Sequence, residues 1–257
     1  LPCFSTAGFY ELPNTGREVY SLNLAWRFYK GEIEGSPFAV EFDDSAWEAV
    51  SVPHGLEYLP VEASGCANYQ GGAWYRKRFI PDELLEGKQL FLHFEGIMGK
   101  SEIYVNGKLL KKQYGGYLPA IIDVTDELVW GKENVIAVKA DNSDDPTFPV
   151  GKSQNMLDFT YFGGIYRDCW LVAHNRIFVT NANYENEVAG GGLFVSFDKV
   201  SDKSAIVNLK AHIRNNSPKN ETVTVSFTLK KKSGELAGEE AKTIGVRKGK
   251  EIGRAHV

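Results

Sequence analysis

Two stretches late in the chain alternate strictly between apolar and polar positions. Val207, Leu209, Ala211 and Ile213 are separated by Asn208, Lys210 and His212, and Val223, Val225, Phe227 and Leu229 by Thr224, Ser226 and Thr228. Successive side chains leave a strand on opposite faces, so a period of two with one polar side predicts half-buried antiparallel strands. The connection from Arg214 to Asn220 is rich in Asn, Ser and Pro and predicts a hairpin or sandwich corner. Upstream, strand-like runs with bulkier side chains cover 74–79, 90–94, 102–105, 108–111, 135–140 and 168–172. Asn106-Gly107 sits between two of them and predicts a tight hairpin, because both residues tolerate the positive φ of a type I′ turn. Only 81–86 reads as helical, a single turn with Pro81 at its start. Many short strands with scattered Gly and Pro predict an all-β chain whose first part is a jelly-roll β-sandwich.

Aromatic residues thin out along the chain. After Phe178 only Tyr184, Phe194, Phe197 and Phe227 remain, and no Trp follows Trp170. That shift predicts a boundary between 178 and 183, with a jelly-roll domain over 1–178 and a second sandwich over 179–250. The second part is shorter than the roughly 100 residues of a seven-stranded immunoglobulin-like sandwich. It therefore reads as a truncated immunoglobulin-like β-sandwich. Glu251 to Val257 shows no strand alternation. Those seven residues resemble the translation of a common sequencing-library adaptor, and the expectation is that 251–257 is an artefactual tail.

Lys and Arg number 29 against 33 Asp and Glu, a formal charge of −4 over 257 residues. Without a broad basic surface there is little to neutralise a phosphate backbone, so nucleic acid is not an expected partner. No run approaches the roughly 18 consecutive apolar residues of a membrane helix, and no membrane partner is expected. The N-terminal segment lacks the pattern of a signal peptide, although the chain begins at Leu1 and the reading is that its N-terminus is incomplete. Cys3, Cys66 and Cys169 are odd in number and stand apart from His, which supports neither a zinc site nor a complete disulfide framework. No metal and no cofactor are expected.

The usual catalytic signatures are absent: the chain has no G-x-S-x-G elbow, no H-E-x-x-H and no P-loop. Asp43-Asp44 and Asp123 read as turn or cap residues. His54 reads as a hydrogen-bonded loop residue, and His93 and His212 as solvent-side or satisfied strand residues. Over 74–79 the strand period places Trp74, Arg76 and Arg78 on one face and Tyr75, Lys77 and Phe79 on the other, with core packing the expected role of the aromatics. Asp158 stands out. It follows a loop rich in Gly, Pro and Asn and precedes Phe159-Thr160-Tyr161-Phe162-Gly163-Gly164, and a carboxylate beside aromatic rings is suited to gripping sugar hydroxyls.

Taken in order, a larger set of motifs is specific although each member is weak. It runs through Asn23-Leu24-Ala25-Trp26-Arg27-Phe28, Phe42-Asp43-Asp44-Ser45 with Trp47, Val52-Pro53-His54, and Gly72 with Trp74-Tyr75-Arg76-Lys77. It continues with Phe94-Glu95-Gly96, Tyr104-Val105-Asn106-Gly107-Lys108, Gly115-Gly116-Tyr117, Asp123-Val124-Thr125, Gly131 with Asn134, and Asp141-Asn142. It closes on Gly163-Gly164-Ile165-Tyr166-Arg167-Asp168. Over about residues 20–178 this set resembles the N-terminal sugar-binding domain of glycoside hydrolase family 2, which contains β-galactosidases, β-glucuronidases and β-mannosidases.

The resemblance implies a jelly roll, an immunoglobulin-like sandwich and then a (β/α)₈ barrel with two catalytic glutamates. The parent would be a retaining β-glycosidase acting on β-glycoside carbohydrates, and its homo-oligomerisation and localisation stay open, with a leaning towards an exported bacterial enzyme. The barrel is missing from this sequence, so no catalytic residue is assigned and the chain alone is expected to be inactive. Asn186-Glu187 and Asn220-Glu221, the two Asn-Glu pairs, do not stand in for the barrel's acid/base motif. By the same resemblance Asp158 reaches the sugar subsite. A further sugar contact falls on Asn68 or Gln70, with Asn68 taken as the candidate. Gly55-Leu56 replaces the acidic or amide residue and Trp that often follow the Pro-His motif, so only a structural role is expected for His54. The competing reading is a free-standing, non-catalytic carbohydrate-binding module; an adhesion scaffold of two sandwiches leaves the motif set unexplained.

Overall fold

Strands dominate the chain in the order that the alternation predicts. The computed structural model describes residues 17–57, 68–147, 151–157, 162–188 and 190–256. The first ten strands are β1 (Glu18–Ser21), β2 (Trp26–Lys30), β3 (Glu48–Val50), β4 (Gly72–Phe79), β5 (Gln89–Phe94), β6 (Gly99–Val105), β7 (Lys108–Gly115), β8 (Ala120–Asp123), β9 (Asn134–Asp141) and β10 (Cys169–His174). They form a four-stranded sheet in the order β1-β10-β5-β8 and a six-stranded sheet in the order β3-β2-β4-β9-β6-β7. The pairs β1–β10, β5–β8, β2–β3, β2–β4, β4–β9, β6–β9 and β6–β7 are antiparallel, as expected of a jelly roll.

The inner faces of the two sheets share one core. Trp26, Phe28, Tyr75, Ile103, Ile136 and Val138 from the larger sheet meet Leu90, Leu92, Phe94, Ile122 and Leu171 from the smaller. The outer face of the larger sheet is also covered, because Trp74, Tyr104 and Ala137 pack with Trp47 and with Ile33, Phe38 and Phe42 from the long β2–β3 connection. Both faces of β4 are therefore buried. Arg76 is fully buried, with its Nε 2.7 Å from Asp44 Oδ2 and its terminal nitrogens donating to the carbonyls of Pro37, Ala39 and Phe42. Asp43 accepts the Ser45 N–H as a turn residue should, whereas Asp44 serves as the counter-ion of a buried guanidinium. Lys77 reaches Leu24 O at 2.5 Å from the opposite face.

Local signals behave as their chemistry demands. Asn106 and Gly107 both take positive φ, 49° and 83°, and close the β6–β7 hairpin. Asp123 Oδ1 accepts from the Thr125 N–H and hydroxyl, forming the expected turn. The helical turn is tighter and later than the sequence implies. It is a 3₁₀ turn, Glu83–Leu85, capped by Asp82 rather than started by Pro81.

A second compact unit begins at His174, ahead of the boundary expected at 178–183. Phe178 counts with the first unit by composition, but strand pairing takes it into the second. This unit contains β11 (Ile177–Val179), the short helix α1 (Ala182–Glu185), β12 (Leu193–Asp198), β13 (Ile206–Asn215), β14 (Glu221–Lys230), β15 (Leu236–Val246) and β16 (Gly249–His256). One edge of β13 pairs with β11 and β12 and the other with β16, while β14 and β15 form a two-stranded second layer. Leu209, Ala211 and Ile213 meet Phe227 and Val246 between the layers, in the manner of an immunoglobulin-like sandwich. Residues 251–256, read from sequence as lacking strand pattern, pair antiparallel with β13. Ladder hydrogen bonds are made by the backbone, so pairing does not need alternating side chains. His212 is not solvent-side. It is fully buried, its Nδ1 2.6 Å from Thr180 Oγ1 and its N–H bonded to Gly192 O.

Candidate sugar-binding site

The candidate site is built from three segments held by backbone bonds. His54 N–H donates to Ile165 O at 2.8 Å, Leu56 N–H to Gly163 O at 3.2 Å and Met98 N–H to Gly164 O at 3.0 Å. The segment 163–165 is thus laced on both sides. It can lie this close only because it carries two glycines. A Cβ at Gly163 would fall 2.5 Å from Leu56 Cδ1 and 2.8 Å from Asn142 Nδ2, and one at Gly164, where φ is +92°, would strike the Tyr75 hydroxyl. Downstream, Tyr166 Oη donates to Gly116 O at 2.6 Å, and Asn23 holds the strand entry with Nδ2 2.6 Å from Asp168 Oδ1 and Oδ1 accepting the Cys169 N–H at 2.8 Å. The closing motif is therefore an anchor.

A second clamp centres on Asn142, which is 1% exposed. Its Nδ2 donates to Tyr69 O at 2.7 Å and its Oδ1 accepts the Gly71 N–H at 2.9 Å. Its own carbonyl accepts from Gln154 Nε2 at 2.8 Å, and the Gln154 N–H reaches Asp144 Oδ1 at 3.0 Å. Asn68 lines a small cleft with Glu57, Tyr69, Asn142 and Phe162, whereas Gln70 is exposed and outside it. Of the two alternatives for the amide, the geometry brings Asn68 to the 162–163 arm. Asp158 lies outside the described residues, as do Cys3 and Cys66. In sequence, Asp158 stands four positions after the Gln154 clamp and five before the Gly163 lacing.

Surrounding groups have legible roles. His54 Nδ1 lies 2.9 Å from the Tyr75 hydroxyl and its ring packs edge-on against Phe28, with centroids 4.6 Å apart. Burial pulls this imidazole below its ordinary pKa, the Glu48 charge opposing. Glu57 Oε2 accepts the Tyr69 N–H at 2.9 Å, fixing the chain next to Asn68. Asn142, Gln154 and Glu57 were given no role from sequence. Asp141-Asn142 was visible as a motif, but an amide that clamps backbone carries the same signal as one that binds ligand. Of the Asn-Glu pairs, Asn186 closes α1 in the left-handed conformation and Asn220 Oδ1 accepts the Lys248 N–H. Cys169 is a buried free cysteine, and burial pushes its thiol well up. Among the described residues no group of three or more His, Cys, Asp or Glu is placed to hold a metal, and no helix is long and apolar enough to cross a membrane.

Known proteins fit this frame. The chain is 31% identical over 199 residues to a β-galactosidase of Thermoanaerobacter pseudethanolicus, covering 77% of this chain and 25% of that protein. It is 31% identical over 245 residues to a β-galactosidase of Bacteroides ovatus, covering 92% and 26%. The crystal structure of a Bacteroides uniformis β-glucuronidase superposes with a TM-score of 0.81 at 29% identity, covering 94% of this chain and 27% of that one. The chain thus spans about a quarter of the length of these relatives. Residues 22–175 match the sugar binding domain of glycosyl hydrolases family 2. That match covers the two clamps and the laced arm together, and the chain belongs to this family.

Proposed function

We propose that the chain is the substrate-contacting N-terminal part of a retaining β-glycosidase of the β-galactosidase and β-glucuronidase type, with the catalytic carboxylates on a portion that this sequence does not include. One observation carries the reading: two backbone clamps, at Gln154 and at Gly163, bracket Asp158 in sequence, and the second borders the cleft that holds Asn68. A carboxylate and an amide are what sugar hydroxyls need, since each hydrogen bond to a charged group is worth about 1.5–3 kcal/mol. Retention requires two carboxyl groups about 5–5.5 Å apart on a rigid frame, and no residue here is assigned to that pair. The chain alone then holds half a pocket, which binds but does not hydrolyse.

Titration of the 257-residue chain with β-galactosides and β-glucuronides tests this. Millimolar or weaker binding is expected, lost in Asp158→Ala and weakened in Asn68→Ala, with no glycoside cleavage. Saturable binding well below millimolar would mark a free-standing carbohydrate module. Hydrolysis by the purified chain would overturn the assignment.

A further inference from the structure

The cleft between Asn68 and Phe162 encloses about 10 Å³, which is room for no more than one water molecule and none for a sugar ring. It is a seam between two walls. Asn68, half-buried at its lip, meets a sugar only from outside, and where its amide stands depends on what ties down the chain behind it. That chain is stiff. Tyr69 Oη donates to Gly72 O at 2.7 Å, and a Cβ at Gly71, where φ is +151°, would fall 2.9 Å from the same hydroxyl. The 69–72 turn is closed on itself by its own side chain, with Asn68 at its head.

Two side chains hold this turn in place. Glu57 Oε2 accepts the Tyr69 N–H at 2.9 Å. Asn142, the residue after β9, does more: its Nδ2 donates to Tyr69 O at 2.7 Å, its Oδ1 accepts the Gly71 N–H at 2.9 Å, and its own N–H donates to Gly71 O at 3.3 Å. Its carbonyl in turn accepts from Gln154 Nε2 at 2.8 Å, and Gln154 is 6% exposed. An amide side chain can donate to one backbone carbonyl and accept from an N–H two residues on, whereas a carboxylate accepts and does not donate. Asn142 is too deeply buried to reach a ligand itself.

We propose, resting on the reading of Asn68 as a sugar contact, that Asn142 is a positioning residue of the sugar site: it sets where Asn68 stands, and Gln154 sets where Asn142 stands. The order is linear, from Gln154 to Asn142 to the 69–72 turn to Asn68. A change at either of the first two therefore acts on the ligand through the last. In a buried hydrogen-bond network each member fixes the geometry of the next, and a double-mutant cycle separates that coupling from a general loss of stability.

The test is an NMR titration of the ¹⁵N-labelled 257-residue chain with methyl β-galactoside, relative affinities being read from the initial slopes of the amide shifts. Asn142→Asp keeps the Gly71 bond, loses the Tyr69 one and is expected to lower affinity about fivefold, the equivalent of one ordinary hydrogen bond. Gln154→Met removes a single bond at a 3₁₀ turn and should lower affinity about twofold, with the Asn68 amide signal displaced. In an Asn68→Ala background neither change should lower affinity further. A loss of the same size in both backgrounds would overturn the positioning role and leave Asn142 as a support of the fold only. No loss in either, with Asn68→Ala still weakening the sugar, would overturn the positioning role and leave the sugar reading standing. If Asn142→Asp does not fold, Gln154→Met decides by the same comparison. No response of the unsubstituted chain to the galactoside would overturn the reading of Asn68 and the positioning role with it.

Discussion

The two units are built from the same strand chemistry and differ in how completely each layer is covered. In the first, the six-stranded sheet is buried on both faces, inward by the smaller sheet and outward by the β2–β3 connection around Trp47. In the second, Leu193, Val195 and Phe197 of β12 pair in register with Ala211, Leu209 and Val207, and so share the face that carries the core. Yet they remain 59%, 41% and 60% exposed. The opposing layer there consists of β14 and β15, and it does not reach over β12. Period-two alternation says which way a side chain points. Only the number of strands in the facing layer says whether it meets anything.

The comparison is broken most severely at Arg76. Asp44→Ala leaves a fully buried guanidinium without its carboxylate and is expected to destabilise the first unit by about 3–5 kcal/mol, measured by urea unfolding followed through Trp fluorescence. Loss of less than about 1 kcal/mol would show that the carbonyls of Pro37, Ala39 and Phe42 suffice. Next in size is Gly164→Ala. A methyl group at positive φ against the Tyr75 hydroxyl and the His54 carbonyl is expected to cost about 1–3 kcal/mol. It should also displace the amide signal of Phe162, and Tyr75→Phe in the same chain should restore part of the loss.

Acid separates the units by sign. Burial holds His54 and His93 below the ordinary imidazole pKa, so the folded first unit binds fewer protons than the unfolded chain. Its stability is complete above the ordinary imidazole range and declines as pH falls through that range to the folded pKa. Glu18, bonded to Lys88, and Glu102, bonded to Lys112 and Tyr104, carry carboxyls held low and extend the decline into the carboxylate range. Glu185 in the second unit runs the other way. Burial raises its carboxyl, Arg214 opposes and Glu187 reinforces, so its contribution improves as pH falls through the window just above the ordinary carboxylate pKa. Hydrogen exchange resolved by unit between pH 7.5 and 4.5 should show the first unit losing protection, with a counter-slope in the second that Glu185→Gln removes.

The smallest effect is expected on β12. Phe197→Ser should change folding stability by no more than about 0.5 kcal/mol, because little area is lost from contact. It should lower self-association in analytical ultracentrifugation, since the exposed stripe of an edge strand is what a second molecule would cover. A loss of several kcal/mol would mean that β12 is covered after all.

Much of the fold is legible where side chains repeat a simple period. The runs at 74–79, 90–94, 102–105, 135–140, 207–213 and 223–229 all lie within strands. β15 was not legible, because Leu236–Val246 is crowded with Glu and Lys and is drawn into a strand by its register with β14. β2 and β3 were hidden for another reason, being too short for a period to emerge. In the candidate site, Asn68 was named from a resemblance that left Gln70 open; the structure places Asn68 on the cleft that Phe162 also lines and leaves Gln70 exposed, while the sugar contact itself stays a proposal. Asn142 and Gln154 stayed silent because an amide's role depends on which backbone groups come within 3 Å of it.

Sequence alone determined the all-β class, the turn at Asn106-Gly107, the two faces of β4 and the ordered motif set of the family. Each of these depends on near neighbours in the chain or on residue order. Tertiary structure decided that both faces of β4 are buried, that Asp44 serves Arg76 across 32 positions, and that Gly163-Gly164 permits a close backbone approach. It also decided that β12 keeps an uncovered apolar stripe. These are properties of contacts distant in sequence, and a one-dimensional pattern carries the direction of a side chain but not the identity of what it meets.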